Sequence, residues 1–388
     1  EEKGTGQDRD ARERAKLIQI PGFLFLTMKS AILFALPLAV SAAVIGSQAG
    51  NAVAPVAGID KLTPVLKKNA QRTLTKFGPY KLDAASTGGK GGGGMGGMDN
   101  TLGGQTFSLS INKGFCNDAG PCTVYTGKLG VMFEDGTAAT PEKGIYIHHV
   151  LTTDVNKKTA PFLSACNAPT RPGFSVSSLK PGSTGFVGVG EDSGDHPVLY
   201  TSEDGTVDAG YHIKPGERFE ANVVLVNYNK EPRNVLVTYD LEWSPGLVGA
   251  NTKGMLIAVN QCLGTRIKTS TTGPATTKSG DFTFLEGGKL FGERGHLHDG
   301  GEEMELFING RKACVSKATY GTSISGSEIK TINSMSMCTD PIEVKKGDTL
   351  SMGVVYDLKK YPLRKSASGQ EAHGVMGMWS LTFAPSSS

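Results

Sequence analysis

An all-β fold, with two antiparallel β-sandwich (jelly-roll-like) domains in tandem, is what this sequence predicts. Three observations carry that expectation. The 388 residues include 52 glycines and 19 prolines and are only 38% hydrophobic, a turn-rich balance that suits short strands and is poor for a helical bundle. From Thr106 onward, short β-branched and aromatic runs recur between turn sequences such as "KPGE", "SPG" and "KKGD". No stretch after residue 105 holds a helical apolar period.

The elements follow in order. The most apolar segment, Met28 to Gly50, has a lysine near its start, an apolar centre and small residues towards its end. That is the layout of a signal peptide, which makes residues 1–27 a non-native or mis-started extension and implies a secreted protein. The alternative is an N-terminal membrane anchor, with Pro21, Lys29 and Pro37 interrupting the span. Residues 51–105 form a polar stretch ending in "STGGKGGGGMGGMDNTLGG", which reads as a flexible Gly-rich linker.

The first sandwich is expected over 106–244 and the second over 245–388, dividing near "SPG" at 244–246. Strands are predicted at "GIYIHHVLTT" (144–153), "ANVVLVNYN" (221–229), "NVLVTYDLEW" (234–243), "KGMLIAV" (253–259), "DTLSMGVVYDL" (348–358) and "VMGMWSLTF" (375–383). "EMELFINGRKACV" alternates around Asn309-Gly310, a strong hairpin signal. The six cysteines, Cys116, Cys122, Cys166, Cys262, Cys314 and Cys338, have no CxxC spacing and read as disulfide partners in an exported chain. Cys116 and Cys122 flank the turn "NDAGP", which favours a local bridge. A net charge of +3 with no basic stripe argues against nucleic acid as a partner.

Chemistry concentrates in the histidines, of which there are only 7. On a strand, residues i and i+2 share a face, so His296 and His298 in "FGERGHLHDGG" present two imidazoles together, as one metal ion would need. His148 and His149 are adjacent, so a regular strand would send them to opposite faces; only a strand end or a β-bulge brings both to one side. Asp299, Glu302 and Glu303 are available to orient the HxH imidazoles, or simply to be solvated turn carboxylates. Lys359, Lys360, Arg364 and Lys365 read as a solvated crossover, and "GVGEDSG" lacks the helix that a nucleotide site requires.

The order of these motifs, a histidine pair, a hairpin, an HxH and a methionine-bearing last strand, resembles the copper type II, ascorbate-dependent monooxygenases (peptidylglycine α-hydroxylating monooxygenase-like). "YIHHVLTTD" is similar to the strand giving two ligands of that family's electron-transfer copper. "FGERGHLHDGG" is similar to the strand giving two ligands of its oxygen-binding copper. Met376, with Met378 on the same face, matches the methionine that completes the second copper. Where the family places a third histidine on the first copper, "VVLVNYNKEP" has Asn227; His196 and His212 do not align with it. "HLHDGG" with "NYN" is more similar to the stress-upregulated nodulin-type secreted family, related in fold. The resemblance implies copper at His296, His298 and Met376, one ion, or two if His148 and His149 also bind. It implies either a copper-binding stress protein or an oxidoreductase of monooxygenase type acting on a small-molecule or peptide ligand. Apart from the resemblance, the chain also reads as an extracellular structural module without metal, its histidines incidental. No stable membrane association is expected once the signal is removed.

Overall fold

The structure is a computed structural model. It describes residues 53–85, 105–157, 162–164, 184–190, 192, 196–204, 206–260, 267, 269–321, 331–363 and 375–386. The predicted signal peptide and extension, the glycine run at 86–104, Cys166, Cys262, Arg364 and Lys365 lie outside the described residues.

The first half contributes β1 (Val56–Leu62), β2 (Gln71–Leu82), β3 (Gln105–Ile111), β4 (Cys122–Phe133), β5 (Ile145–Asp154), β6 (Leu163–Ser164), β7 (Thr184–Gly190), β8 (Val198–Leu199), β9 (Ala209–Ile213), β10 (Phe219–Asn227), β11 (Arg233–Pro245) and β12 (Ala250–Asn251). One sheet runs β1-β2-β11-β4-β9-β12 with β8 beside β4; the other runs β3-β10-β5-β7. Their facing residues close a core around Phe77, Phe115, Phe186, Phe219 and Tyr239, with Phe115 edge-on to Phe77 and Phe219. The Cys116–Cys122 bridge forms as expected beneath it.

The second half adds β13 (Lys253–Ala258), β14 (Ala275–Lys278), β15 (Phe282–Phe284), β16 (Gly288–Leu297), β17 (Gly301–Ile308), β18 (Arg311–Tyr320), β19 (Ile332–Met335), β20 (Met337–Cys338), β21 (Ile342–Val344), β22 (Thr349–Tyr356) and β23 (Gly377–Pro385). One sheet is β13-β23-β16-β20 with β21 on β16; the other is β19-β18-β17-β22-β15-β6 with β14 on β22. The β17–β18 hairpin turns at Asn309 and Gly310, whose φ of 50° and 74° are the positive pair that an Asn-Gly turn supplies. Cys314 is bridged to Cys338. The two sandwiches of the sequence expectation are present. Among the described residues no helix is long and apolar enough to cross a membrane.

Two boundaries differ from those expected. Residues 56–62 and 71–82, placed by sequence in a flexible segment, are β1 and β2, and β2 pairs along most of β11. The alternation "RTLTKF" inside β2 buries Thr75 and Phe77 on one face, a period-2 pattern masked by the polar residues around it. The sandwiches are also not two contiguous lengths of chain. β6 pairs with β15, and Phe162 stacks on Phe383 with ring centroids 4.5 Å apart inside the second core.

Candidate metal centre

The site is assembled where the β3-β10-β5-β7 sheet meets the sheet holding β16 and β23. Glycines make that approach close. Gly254 of β13 comes so near Gly185 of β7 that a Cβ there would sit 3.4 Å from the Gly185 carbonyl oxygen. Gly190 ends β7 opposite His149 of β5. A Cβ on Gly190 would meet the Asp192 carboxylate at 3.1 Å and the His296 ring at 3.6 Å. His149 and His296 therefore flank one glycine from opposite sandwiches.

The histidine pair owes its geometry to a bulge. Val224 pairs with His149, but the next residue, Leu225, pairs with Ile147, which leaves His148 as the extra residue in β5. Ile147 and Val150 can then both pack on the first core although three positions separate them, and both histidines turn to the other face. Their Nδ1 atoms stand 3.0 Å apart. His149 Nε2 lies 2.8 Å from Asn222 Oδ1; that oxygen only accepts, so His149 carries its proton on Nε2 and offers Nδ1 as a lone pair. Two nitrogens about 2.0 Å from one ion would span a similar ~3 Å. Burial, reinforced by the neighbouring His148, holds the His149 pKa down to about 4. The apolar parity switch between Ile147 and Val150 is the sequence signal for this bulge.

Asn227 stands elsewhere. It pairs with Ile145, about 10 Å along the strand from the His149 level at ~3.3 Å per residue. Its amide donates to the Asp83 and Glu231 carbonyls, and its oxygen accepts from Asn229. It builds a turn, and the amide beside the histidine pair is that of Asn222. His212 holds the Val248 carbonyl at 3.0 Å, and His196 offers its own carbonyl to Arg294.

His296 and His298 sit at and just beyond the end of β16, with ring centroids 5.5 Å apart and perpendicular planes. His296 Nδ1 is 2.9 Å from Asp192 Oδ1, and the Leu297 N–H donates to Asp192 Oδ2 at 3.1 Å. The Asp192 backbone carbonyl accepts Met335 N–H. Burial alone would push the Asp192 carboxyl up, but the charge and hydrogen bond of His296, nearby Arg294 and the Leu297 N–H outweigh it and hold it low. A carboxylate at Nδ1 keeps the imidazole proton on that nitrogen, so the lone pair of His296 is on Nε2. The carboxylates proposed from sequence do other work: Asp299 accepts Ile332 N–H, Glu302 pairs with Lys360, and Glu303 faces Lys317 across the hairpin. Asp192 was missed because its partner lies 104 positions away.

On β23, Met378 is the register partner of His296, and Met376 lies just before Gly377, the partner of Leu297. Both methionines are buried with Ala258. Among the described residues no three His, Cys, Asp or Glu side chains converge as one metal site; the set offered here is two imidazoles and a thioether, which fits copper in its softer state. Earlier on β16, Glu293 is fully buried, and among the described residues neither carboxylate oxygen has a hydrogen-bond partner; burial pushes its pKa up to about 8.

Known proteins extend this picture. The family model for stress up-regulated Nod 19 matches residues 256–385. A protein of a Phoma species named "Probable copper-dependent oxygenase M1" is 24% identical over 249 residues, 62% of this chain and 58% of its own length. A Cochliobolus lunatus protein named "Probable copper-dependent oxygenase clz3" is 24% identical over 238 residues, 59% of this chain and 69% of its own. The chain thus spans less than two thirds of the first relative. The second sandwich carries the stress up-regulated Nod 19 pattern, and the chain is related to proteins named copper-dependent oxygenases.

Proposed function

We propose that this is a secreted copper-binding protein with a mononuclear centre at His296, His298 and Met376. The observation that carries the reading is the hydrogen bond from His296 Nδ1 to buried Asp192, which fixes the tautomer a ligand needs. Copper held there would supply one-electron redox chemistry and open positions for a small ligand. The chain's own contribution is orientation. Asp192 keeps the proton on Nδ1 and so puts the lone pair on Nε2; the Leu297 N–H holds that carboxylate from a second side. The seam between the sandwiches shields the methionines while His296 stays about a quarter exposed, at 26%, so a ligand can reach the centre from one side.

A second reading, a copper-dependent oxidoreductase of monooxygenase type acting on an unidentified small molecule or peptide, is favoured by the names of the relatives. The His148-His149 pair would then be a second copper half-site. The disulfides support export. The test is metal analysis of full-length protein purified without chelator. Wild type is expected to carry about one copper, lost in His296→Ala; one copper in both would move the site away from His296, and none in either would leave a metal-free β-sandwich module.

A further inference from the structure

We infer that Tyr356 is a positioning residue for this centre: its hydroxyl, inserted between the histidine strand and the methionine strand, sets whether the thioether completes the donor set. The inference rests on the copper reading above. Along β16 and β23 the last registered pair is Leu297 with Gly377. The next pair in that register would be His298 with Met376. At that level the Tyr356 hydroxyl reaches in from β22 of the opposing sheet. It accepts His298 N–H at 3.0 Å and Met376 N–H at 3.3 Å, and donates to the Met376 carbonyl at 2.6 Å.

A phenol has one proton and two lone pairs, so these three bonds use its whole capacity. An ordinary antiparallel ladder joins the strands by direct N–H···O bonds of ~2.9 Å; here the hydroxyl oxygen bonds both backbones at the level of the two candidate donors. Met376 is held from its other side as well, because Val375 and Gly377 give their carbonyls to Ile267 and Val259. Tyr356 itself is 1% exposed, with its ring in the second core. One hydroxyl thus fixes the backbone of a histidine and of a methionine together. A neighbouring tyrosine does the same for the following turn: Tyr320 accepts Gly300 N–H and donates to the Gly301 carbonyl.

The test is Tyr356→Phe in the full chain, loaded with Cu(I) and with Cu(II). X-ray absorption at the copper edge should show the sulfur shell of wild type lost and the nitrogen shell retained. Competition titration should show Cu(I) affinity falling about tenfold or more while Cu(II) stays within about threefold, because the thioether favours the reduced ion. Met376→Ile should give the same spectrum, and the double variant no further loss. A sulfur shell that survives Tyr356→Phe, or two affinities falling together with thermal stability, overturns the inference and leaves Tyr356 a core residue. Should Tyr356→Phe not fold, difluorotyrosine at position 356 keeps the hydroxyl but weakens it as an acceptor; an unchanged Cu(I)-to-Cu(II) affinity ratio there also overturns it. A wild type that binds no copper ends both readings, whereas copper binding with an indifferent Tyr356 ends this one alone.

Discussion

Asp192 and His296 meet at 2.9 Å although they belong to different sandwiches. The carboxylate sits just past β7 and the imidazole near the end of β16, so the candidate centre is complete only when the two sheets are docked. Asp192→Asn removes the charge and keeps one acceptor for the imidazole. Copper affinity should fall about 10- to 100-fold, with circular dichroism unchanged. Competition titration against a chelator of known affinity checks this, and an unaltered affinity would refute the role given to Asp192.

Gly190 is the second requirement for docking. Valine there would push its methyls into the space between Asp192 and His296, where even a Cβ lies 3.1 Å and 3.6 Å away. Gly190→Val should destabilise by about 1–3 kcal/mol, as overpacking does, and weaken copper binding more than Gly190→Ala. Chemical denaturation and metal titration of both variants test the order.

The histidine pair gives a prediction that sequence alone would reverse. Alignment by motif makes Asn227 the vacant third position, so Asn227→His should complete a second site. In the fold Asn227 knits a turn and Asn222 touches His149. Asn222 stands on the nitrogen of His149 away from His148, so it orients the ring and leaves the third position unfilled. Asn227→His should therefore gain no second copper equivalent, and should lower stability by about 1–3 kcal/mol through its lost buried hydrogen bonds. Copper counts in wild type and Asn227→His decide it; a gained equivalent in the variant would show the register argument to be mistaken.

Glu293 should make stability depend on pH. Its carboxyl keeps a proton up to about pH 8 when folded, against an ordinary value of 4.5. Between those values the folded state binds the extra proton, so stability is complete below the lower value and is lost as pH rises to the upper. A shift of that size is worth at most about 5 kcal/mol. Glu293→Gln keeps the neutral shape and should flatten the profile. Urea midpoints at pH 5 and pH 8 measure this, and the same decline in both proteins would clear Glu293 of the effect.

What was legible in the sequence was local. The Asn309-Gly310 hairpin, the Cys116–Cys122 bridge and the shared face of His296 and His298 depend on residues close in the chain, where backbone geometry speaks directly. The convergence of His148 and His149 was half legible: a bulge was the stated condition, and the change of apolar parity between Ile147 and Val150 marks its place. Asp192, Asn222 and Tyr356 left no local mark. Each acts through a partner brought near by sheet pairing, and a single aspartate, asparagine or tyrosine in a β chain looks the same whether or not such a partner exists.

The crossing of β6 has a consequence for where a family is drawn and where a protein can be cut. The matched stretch begins at residue 256, yet Phe162 and Leu163 belong to the core that this stretch encloses. A fragment starting at 245 would leave the face of Phe383 uncovered and the edge of β15 without its neighbour. The recurring unit of sequence is thus smaller than the unit that can stand in water. Anyone expressing the second sandwich alone should carry residues 162–164 with it, on a tether or as a separate peptide, and can read from the recovery of solubility how much those three residues hold in place.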